Sequence, residues 1–288
     1  MRSNLANKLA NLIVVALLVA VAVNSHAAGN APVKIGITPV FLTDRTAFVE
    51  EWRLYLANQL GKPVEFELRK SYREITDLLL AGELDAAWLC GYPFARNRDS
   101  VKLLGVPVYK GRPLYQSYLI VPASDTTTRS LLDLKQKVFA FSDPDSNSGY
   151  LFPQVDLIKK GLLPKYFFSK TFFTWSHRNV VRSVADGLAQ GGAVDGYIWD
   201  TLSITNPELT DRTRIVAKSD YFGFPPLVTR NDIKPNLETE MRKALFNMSD
   251  VPAGQRLLRK LNLDRFATAD NQLYDSILEM ANLLDANQ

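Results

Sequence analysis

The order of strand-like and helix-like segments constrains this chain more than any single motif does. Val33 to Thr38 alternates and is rich in β-branched residues, which predicts a strand. Phe48, Trp52, Leu56 and Leu60 recur at helical spacing and predict an amphipathic helix. Val64 to Leu68 reads as a second strand and Tyr72 to Ala81 as a helix ended by Gly82. Ala86 to Leu89 reads as a third, buried strand. A β-α-β-α-β succession predicts a largely parallel sheet with right-handed crossovers. The pattern restarts after Leu131-Leu132-Asp133-Leu134. Predicted strands are Val138 to Phe141, Phe172 to Thr174 and Gly196 to Trp199, and predicted helices are Leu151 to Lys160 and Val180 to Leu188. The end is predicted helical, over Leu237 to Met248, Gln255 to Leu261 and Asn271 to Leu284.

Two α/β units and a helical tail predict two lobes around a cleft. The segments Tyr115–Pro122 and Tyr221–Thr229, the latter with Phe224-Pro225-Pro226, are the expected crossovers. A ligand in such a cleft meets loops at strand ends from both lobes.

The N-terminus reads as an export signal. Arg2 and Lys8 precede the apolar run Leu12 to Val23, and Ser25-His26-Ala27 offers a cleavage site after Ala27. Removing residues 1–27 would leave 34 − 2 = 32 basic and 30 acidic side chains, a net of +2. That balance argues against nucleic acid as a partner. Cys90 is the only cysteine, so an exported fold here has no internal disulfide. With His26 in the signal, His177 is the only histidine left. One His and one Cys cannot build a typical zinc or redox-metal site, and no cofactor is expected.

The segment Phe141-Ser142-Asp143-Pro144-Asp145-Ser146-Asn147-Ser148-Gly149-Tyr150 lies between a predicted strand and a predicted helix. Free N–H groups at the helix start and two serine hydroxyls there suit a small oxyanion. The same residues also suit an ordinary N-cap, with Ser146 or Ser148 accepting from its own helix. The residues alone leave both open. A hydrolase built on Ser148 and His177 is disfavoured, because the turn lacks a Gly-x-Ser-x-Gly elbow. No enzyme is expected.

Four landmarks in order carry a resemblance: Gly82-Glu83-Leu84-Asp85-Ala86-Ala87-Trp88, Tyr115-Gln116-Ser117-Tyr118-Leu119-Ile120-Val121, Asp143 to Gly149, and Ser176-His177. The chain resembles, over nearly all of its length after the signal, the periplasmic solute-binding proteins of phosphate, phosphite and phosphonate ABC importers, the PhnD type. The resemblance implies a two-lobed type II α/β fold. Each lobe would be a mostly parallel sheet flanked by helices, joined to the other by two hinge crossovers. The expected division is residues 28–118 with 225–288 for one lobe and 119–224 for the other.

The family's ligand residues carry over one by one. Ser146, Asn147 and Ser148 match its oxyanion turn, and His177 matches a histidine that donates to a ligand oxygen. Tyr72 and Tyr115 match two cleft tyrosines, whereas Tyr118 reads as core. Asp200 matches one of two acids that meet the ammonium of aminophosphonates. The other falls within Gly223-Phe224-Pro225-Pro226-Leu227, which has no acid. That favours phosphate, phosphite or methylphosphonate over an aminoalkylphosphonate. Cys90 is expected as a small buried apolar residue, with a soft-ligand contact as the alternative. The resemblance implies a periplasmic monomer that captures a small oxyanion for an inner-membrane ABC permease. Its alternative is a co-receptor that hands an oxyanion, arsenite or arsenate included, to a sensor kinase.

Overall fold

The computed structural model describes residues 31–38 and 46–287, so the expected signal over residues 1–27 lies outside the described residues. In chain order the first elements are β1 (Val33–Ile37), α1 (Thr46–Leu60), β2 (Val64–Leu68), α2 (Tyr72–Leu80), β3 (Ala86–Trp88), α3 (Gly91–Asn97) and β4 (Val101–Val108). Then come β5 (Leu114–Tyr115), β6 (Ser117–Pro122), β7 (Val138–Phe141), α4 (Phe152–Lys159), β8 (Lys170–Phe173), α5 (His177–Ala185), β9 (Gly191–Asp195), α6 (Gly196–Thr205) and β10 (Thr213–Lys218). The chain ends with β11 (Phe222–Gly223), β12 (Leu227–Arg230), α7 (Pro235–Phe246), α8 (Pro252–Leu261), β13 (Arg265–Ala267) and α9 (Asp275–Asp285). Among the described residues no helix is long and apolar enough to cross a membrane.

Two sheets form two lobes. The first has the order β13-β4-β12-β3-β1-β2. β1 runs parallel to β2 and β3, with Ile35 opposite Phe66 and Ala86. Helix α1 buries Phe48, Trp52, Leu56 and Leu60, as their spacing predicts. Trp52 meets Trp88 edge-on at 5.5 Å between centroids. Burying one such ring stabilises the fold by about 2–3 kcal/mol. The returning strand β12 inserts between β3 and β4, antiparallel to both. The second sheet has the order β10-β6-β9-β7-β8, parallel across β9, β7 and β8 and antiparallel across β10, β6 and β9. Each sheet is therefore mixed. It is parallel where α-helical crossovers connect strands, and antiparallel where β12 and β13 join the first sheet and where β6 and β10 join the second.

One predicted strand is misplaced. Gly196 to Trp199 opens helix α6, and the strand is the preceding Gly191–Asp195. Strand β9 lies centrally, and its glycines accommodate close neighbours. A Cβ on Gly192 would sit 2.5 Å from Val180 and 3.2 Å from the Ala140 carbonyl. The Asp195 carboxylate then accepts from the N–H groups of Tyr197 and Ile198, which starts the helix.

The two crossovers lie side by side. β5 and β11 form a two-stranded antiparallel ribbon, with Tyr115 opposite Phe222. The rest of each expected crossover belongs to a lobe: Ser117–Pro122 is β6 in the second sheet and Leu227–Arg230 is β12 in the first. Buried Phe224 packs against Tyr115 and Tyr197 at this junction.

Candidate functional site

The serine turn follows β7. Ser146 is an N-cap: its hydroxyl accepts from Gly149 N–H at 3.0 Å. The next five residues, Asn147–Leu151, form one π turn that runs into α4. The capping alternative therefore holds for Ser146 and not for Ser148. The Ser148 hydroxyl is buried and has no hydrogen-bond partner, and the same is true of Ser142. Leaving such groups unpaired costs about 1–3 kcal/mol each, so two of them at one turn point to a ligand.

The first lobe closes on this turn. Tyr72 opens α2, whose capping box is Ser71 with Glu74. Its backbone N–H donates across the cleft to Asp143 Oδ2 at 3.1 Å, and its own buried hydroxyl has no partner. The neighbouring Arg73 forms an ion pair with Asp145 at 2.9 Å. Tyr115, from the ribbon, accepts from Asn147 Nδ2 at 2.9 Å. Asn147 Oδ1 is buried and unpartnered.

Cys90 lies two residues after β3, at the N-cap of α3, and belongs to this cluster. Its sulfur accepts from Asn147 N–H at 3.4 Å. Burial pushes the thiol up to about 12, so it is a neutral thiol near neutrality. It is thus buried, as expected, and also faces the turn. Cys90→Ser keeps a small acceptor for Asn147 N–H and should leave oxyanion affinity within about twofold. Cys90→Val removes it and should destabilise the protein by about 1–3 kcal/mol. Calorimetry and urea unfolding of the two variants check this. Equal stability of both would remove the sulfur from the architecture of the turn.

His177 begins α5, which Ser176 caps. Its Nδ1 accepts the backbone N–H of Asp195 at 3.0 Å. The ring proton therefore resides on Nε2, which lies 3.5 Å from the Ser146 hydroxyl. Burial pulls the imidazole down to about 3. His177 is thus a neutral donor, a point the sequence leaves open. Trp175, two residues earlier, adopts a left-handed backbone with φ of 63°, and its N–H donates to the Ser142 carbonyl at 2.6 Å. A bulky residue there is strained, and the strained bend fastens the histidine to the serine turn.

Two buried carboxyl groups complete the cluster. Burial raises Asp143 to about 6 and Asp195 to about 8. Neither was among the residues expected from sequence, nor was Ser142. Asp143 and Ser142 sit inside the quoted turn, where a strand followed directly by Ser-Asp-Pro was a usable signal. Asp195 was hidden by the misplaced strand. Of the expected residues, Tyr72, Tyr115, Ser146, Asn147, Ser148, His177 and Cys90 come together. Asp200 does not join them by any hydrogen bond. Its carboxylate accepts from Tyr109 at 2.8 Å, Lys110 at 2.7 Å and Tyr118 at 3.4 Å, tying α6 to the end of β4. Tyr118 is buried, as expected of a core residue. Among the described residues no group of three His, Cys, Asp or Glu side chains could hold a metal ion.

Residues 35–274 match the model of the family described as "ABC transporter, phosphonate, periplasmic substrate-binding protein". The chain belongs to this family. Among its curated relatives is the phosphate-import protein PhnD of Mycolicibacterium smegmatis, 24% identical over 199 residues, 65% of this chain and 62% of that protein. The probable ABC transporter phosphite binding protein PhnD1 of Prochlorococcus marinus is 24% identical over 168 residues, 56% of this chain and 57% of that protein. The chain thus spans about three fifths of the length of these two relatives. A binding protein component of an ABC phosphonate transporter from Pseudomonas aeruginosa superposes with a TM-score of 0.82 at 23% identity, covering 90% of this chain and 89% of that one. Prochlorococcus marinus PhnD1 in complex with methylphosphonate gives 0.79 at 21% identity, covering 88% and 98%. These likenesses bear out the two-lobed type II fold.

Proposed function

We infer that this protein captures a small oxyanion, phosphate, phosphite or a phosphonate, between its lobes and delivers it to an ABC importer. One observation carries the reading. Four buried polar atoms without partners, Tyr72 Oη, Ser142 Oγ, Asn147 Oδ1 and Ser148 Oγ, come from both lobes and gather beside the neutral N–H of His177. Hydroxyls and a neutral imidazole can donate several hydrogen bonds to an anion, and no covalent step is required. Export through the cleaved segment 1–27, a monomeric state and docking of the closed lobes on an inner-membrane permease belong to the same reading. So does the division into 28–118 with 225–288 and 119–224.

Calorimetry on ligand-stripped protein with phosphate, phosphite, methylphosphonate and 2-aminoethylphosphonate tests it. At least one of the first three should bind saturably. The amino compound should bind more weakly than methylphosphonate, because Asp200 is already paired with Lys110 and the Gly223–Leu227 segment has no acid. Ser148→Ala should lose one hydrogen bond to a charged ligand, about 1.5–3 kcal/mol or roughly 10- to 150-fold in affinity. The melting temperature of the empty variant should stay close to that of the wild type. No binding to any of the first three anions would overturn the reading, and unchanged affinity in the variant would remove Ser148 from the site.

A further inference from the structure

The cluster has an acceptor that no fully deprotonated anion can satisfy. Tyr72, Ser142 and Ser148 present hydroxyls, which can turn their hydrogens toward an anion. The Asn147 Oδ1 cannot. One of the two Nδ2 hydrogens goes to the Tyr115 hydroxyl, and the buried Oδ1 has no donor. An amide oxygen pairs only with a group that carries a hydrogen. A bare anionic oxygen beside it would add repulsion to the unpaired acceptor.

The charge around the site points the same way. From the first lobe and the ribbon, the titratable groups facing Asn147 are Tyr72, Cys90 and Tyr115, with Tyr274 behind Cys90. From the second lobe they are Asp143, His177 and Asp195. The tyrosines, the thiol and His177 are held neutral by burial, with the His177 proton on Nε2. Two cations at the margins are already engaged, Arg73 by Asp145 and Lys110 by Asp200. The site therefore offers hydrogen bonds to one negative charge, and burial that already raises the two neighbouring carboxyl groups, Asp143 and Asp195, disfavours a second.

We propose that the site takes a phosphonate or phosphite as the singly protonated monoanion, whose remaining O–H donates to Asn147 Oδ1, and rejects the dianion, which has no O–H to give. This rests on the oxyanion reading above and adds the protonation state of the ligand to it. The ligand brings its own proton. Above its second pKa it must therefore take one proton from solvent on binding.

The experiment uses wild-type protein and three probes, methylphosphonate, phosphite and methanesulfonate, titrated calorimetrically from about pH 5 to about pH 9. Methanesulfonate has the shape and charge of the methylphosphonate monoanion without its hydrogen. Affinity for the two phosphorus ligands should be level below each ligand's own second pKa and fall about tenfold per pH unit above it. The two break points should differ as the two ligands' pKa values differ. Methanesulfonate should bind at least about tenfold more weakly than methylphosphonate at the acidic end. In Asn147→Ala that preference should collapse toward unity, whatever happens to affinity overall.

A level profile, or methanesulfonate binding as tightly as methylphosphonate, would overturn the proposal and leave the oxyanion reading standing. A single break point shared by both ligands would also overturn it, assigning the pH dependence to Asp143 or Asp195. A preference retained in Asn147→Ala would overturn Asn147 as the acceptor. Failure of methylphosphonate, phosphite and, in a control titration, phosphate to bind at every pH would instead sink the oxyanion reading itself.

Discussion

Replacing His177 with alanine should weaken oxyanion binding by roughly 10- to 150-fold and destabilise the empty protein by about 1–3 kcal/mol. The two effects have different origins. The binding loss comes from Nε2–H, a donor to a charged ligand. The stability loss comes from the other side of the ring, where Nδ1 accepts Asp195 N–H. Without the imidazole that buried N–H has no acceptor.

The stability gap should also depend on pH. The imidazole ordinarily titrates near 6.5 and is pulled down to about 3 in the folded protein. Between those values the unfolded chain binds the proton and the folded chain does not. The stability from burying the neutral ring is therefore complete above about pH 6.5 and is lost as pH falls toward about 3. The alanine variant has no such proton to bind. Its deficit relative to wild type should shrink on acidification, by up to about 1.4 kcal/mol per pH unit in that window. Asp143 and Asp195 titrate in both proteins and largely cancel in the difference. Urea midpoints at several pH values measure the gap. A gap independent of pH would mean that His177 is not held neutral.

Gly149→Ala should have an effect at least as large, on the turn itself. A Cβ at this position would lie 2.0 Å from Ser142 Oγ, 2.8 Å from Ser142 Cβ and 3.0 Å from His177 Cε1. Ser142 is a short side chain at the end of β7 and cannot swing clear as a lysine tip could. The turn must open, at a cost of about 1–3 kcal/mol. Opening it displaces Ser142, Ser148 and His177 together, so ligand affinity should fall by more than about 100-fold. Ser142→Gly in the same chain should restore part of the lost stability, because it removes the atoms the new methyl group strikes. Strict additivity of the two changes would show that the clash is not the cause.

Much of this molecule is legible from neighbouring residues. Helix α1 shows itself in the spacing of Phe48, Trp52, Leu56 and Leu60, because one face of a helix meets one core. Strand β7 and the turn after it are visible because an apolar run ends in Ser-Asp-Pro. Where local signals conflict with tertiary demand, the reading slips. Gly191-Gly192-Ala193 has little strand propensity, yet it occupies the centre of a sheet because only small residues fit against Val180 and Leu134. Gly196-Tyr197-Ile198-Trp199 has strand-like residues, yet Asp195 caps it into a helix.

Local patterns therefore account for the alternation of strands and helices, the anion-suited turn at Ser146–Ser148 and the small set of side chains able to serve it. These depend on periodicity, capping and composition, which act within a few residues. Long-range folding is what inserts β12 between β3 and β4, gives Asp200 to Tyr109 and Lys110, and turns Cys90 toward Asn147. It alone also set the proton of His177 on Nε2, through a backbone N–H eighteen residues further along the chain. Strand partners, ion pairs and tautomers depend on which groups meet after the chain has folded, and no local pattern encodes that meeting.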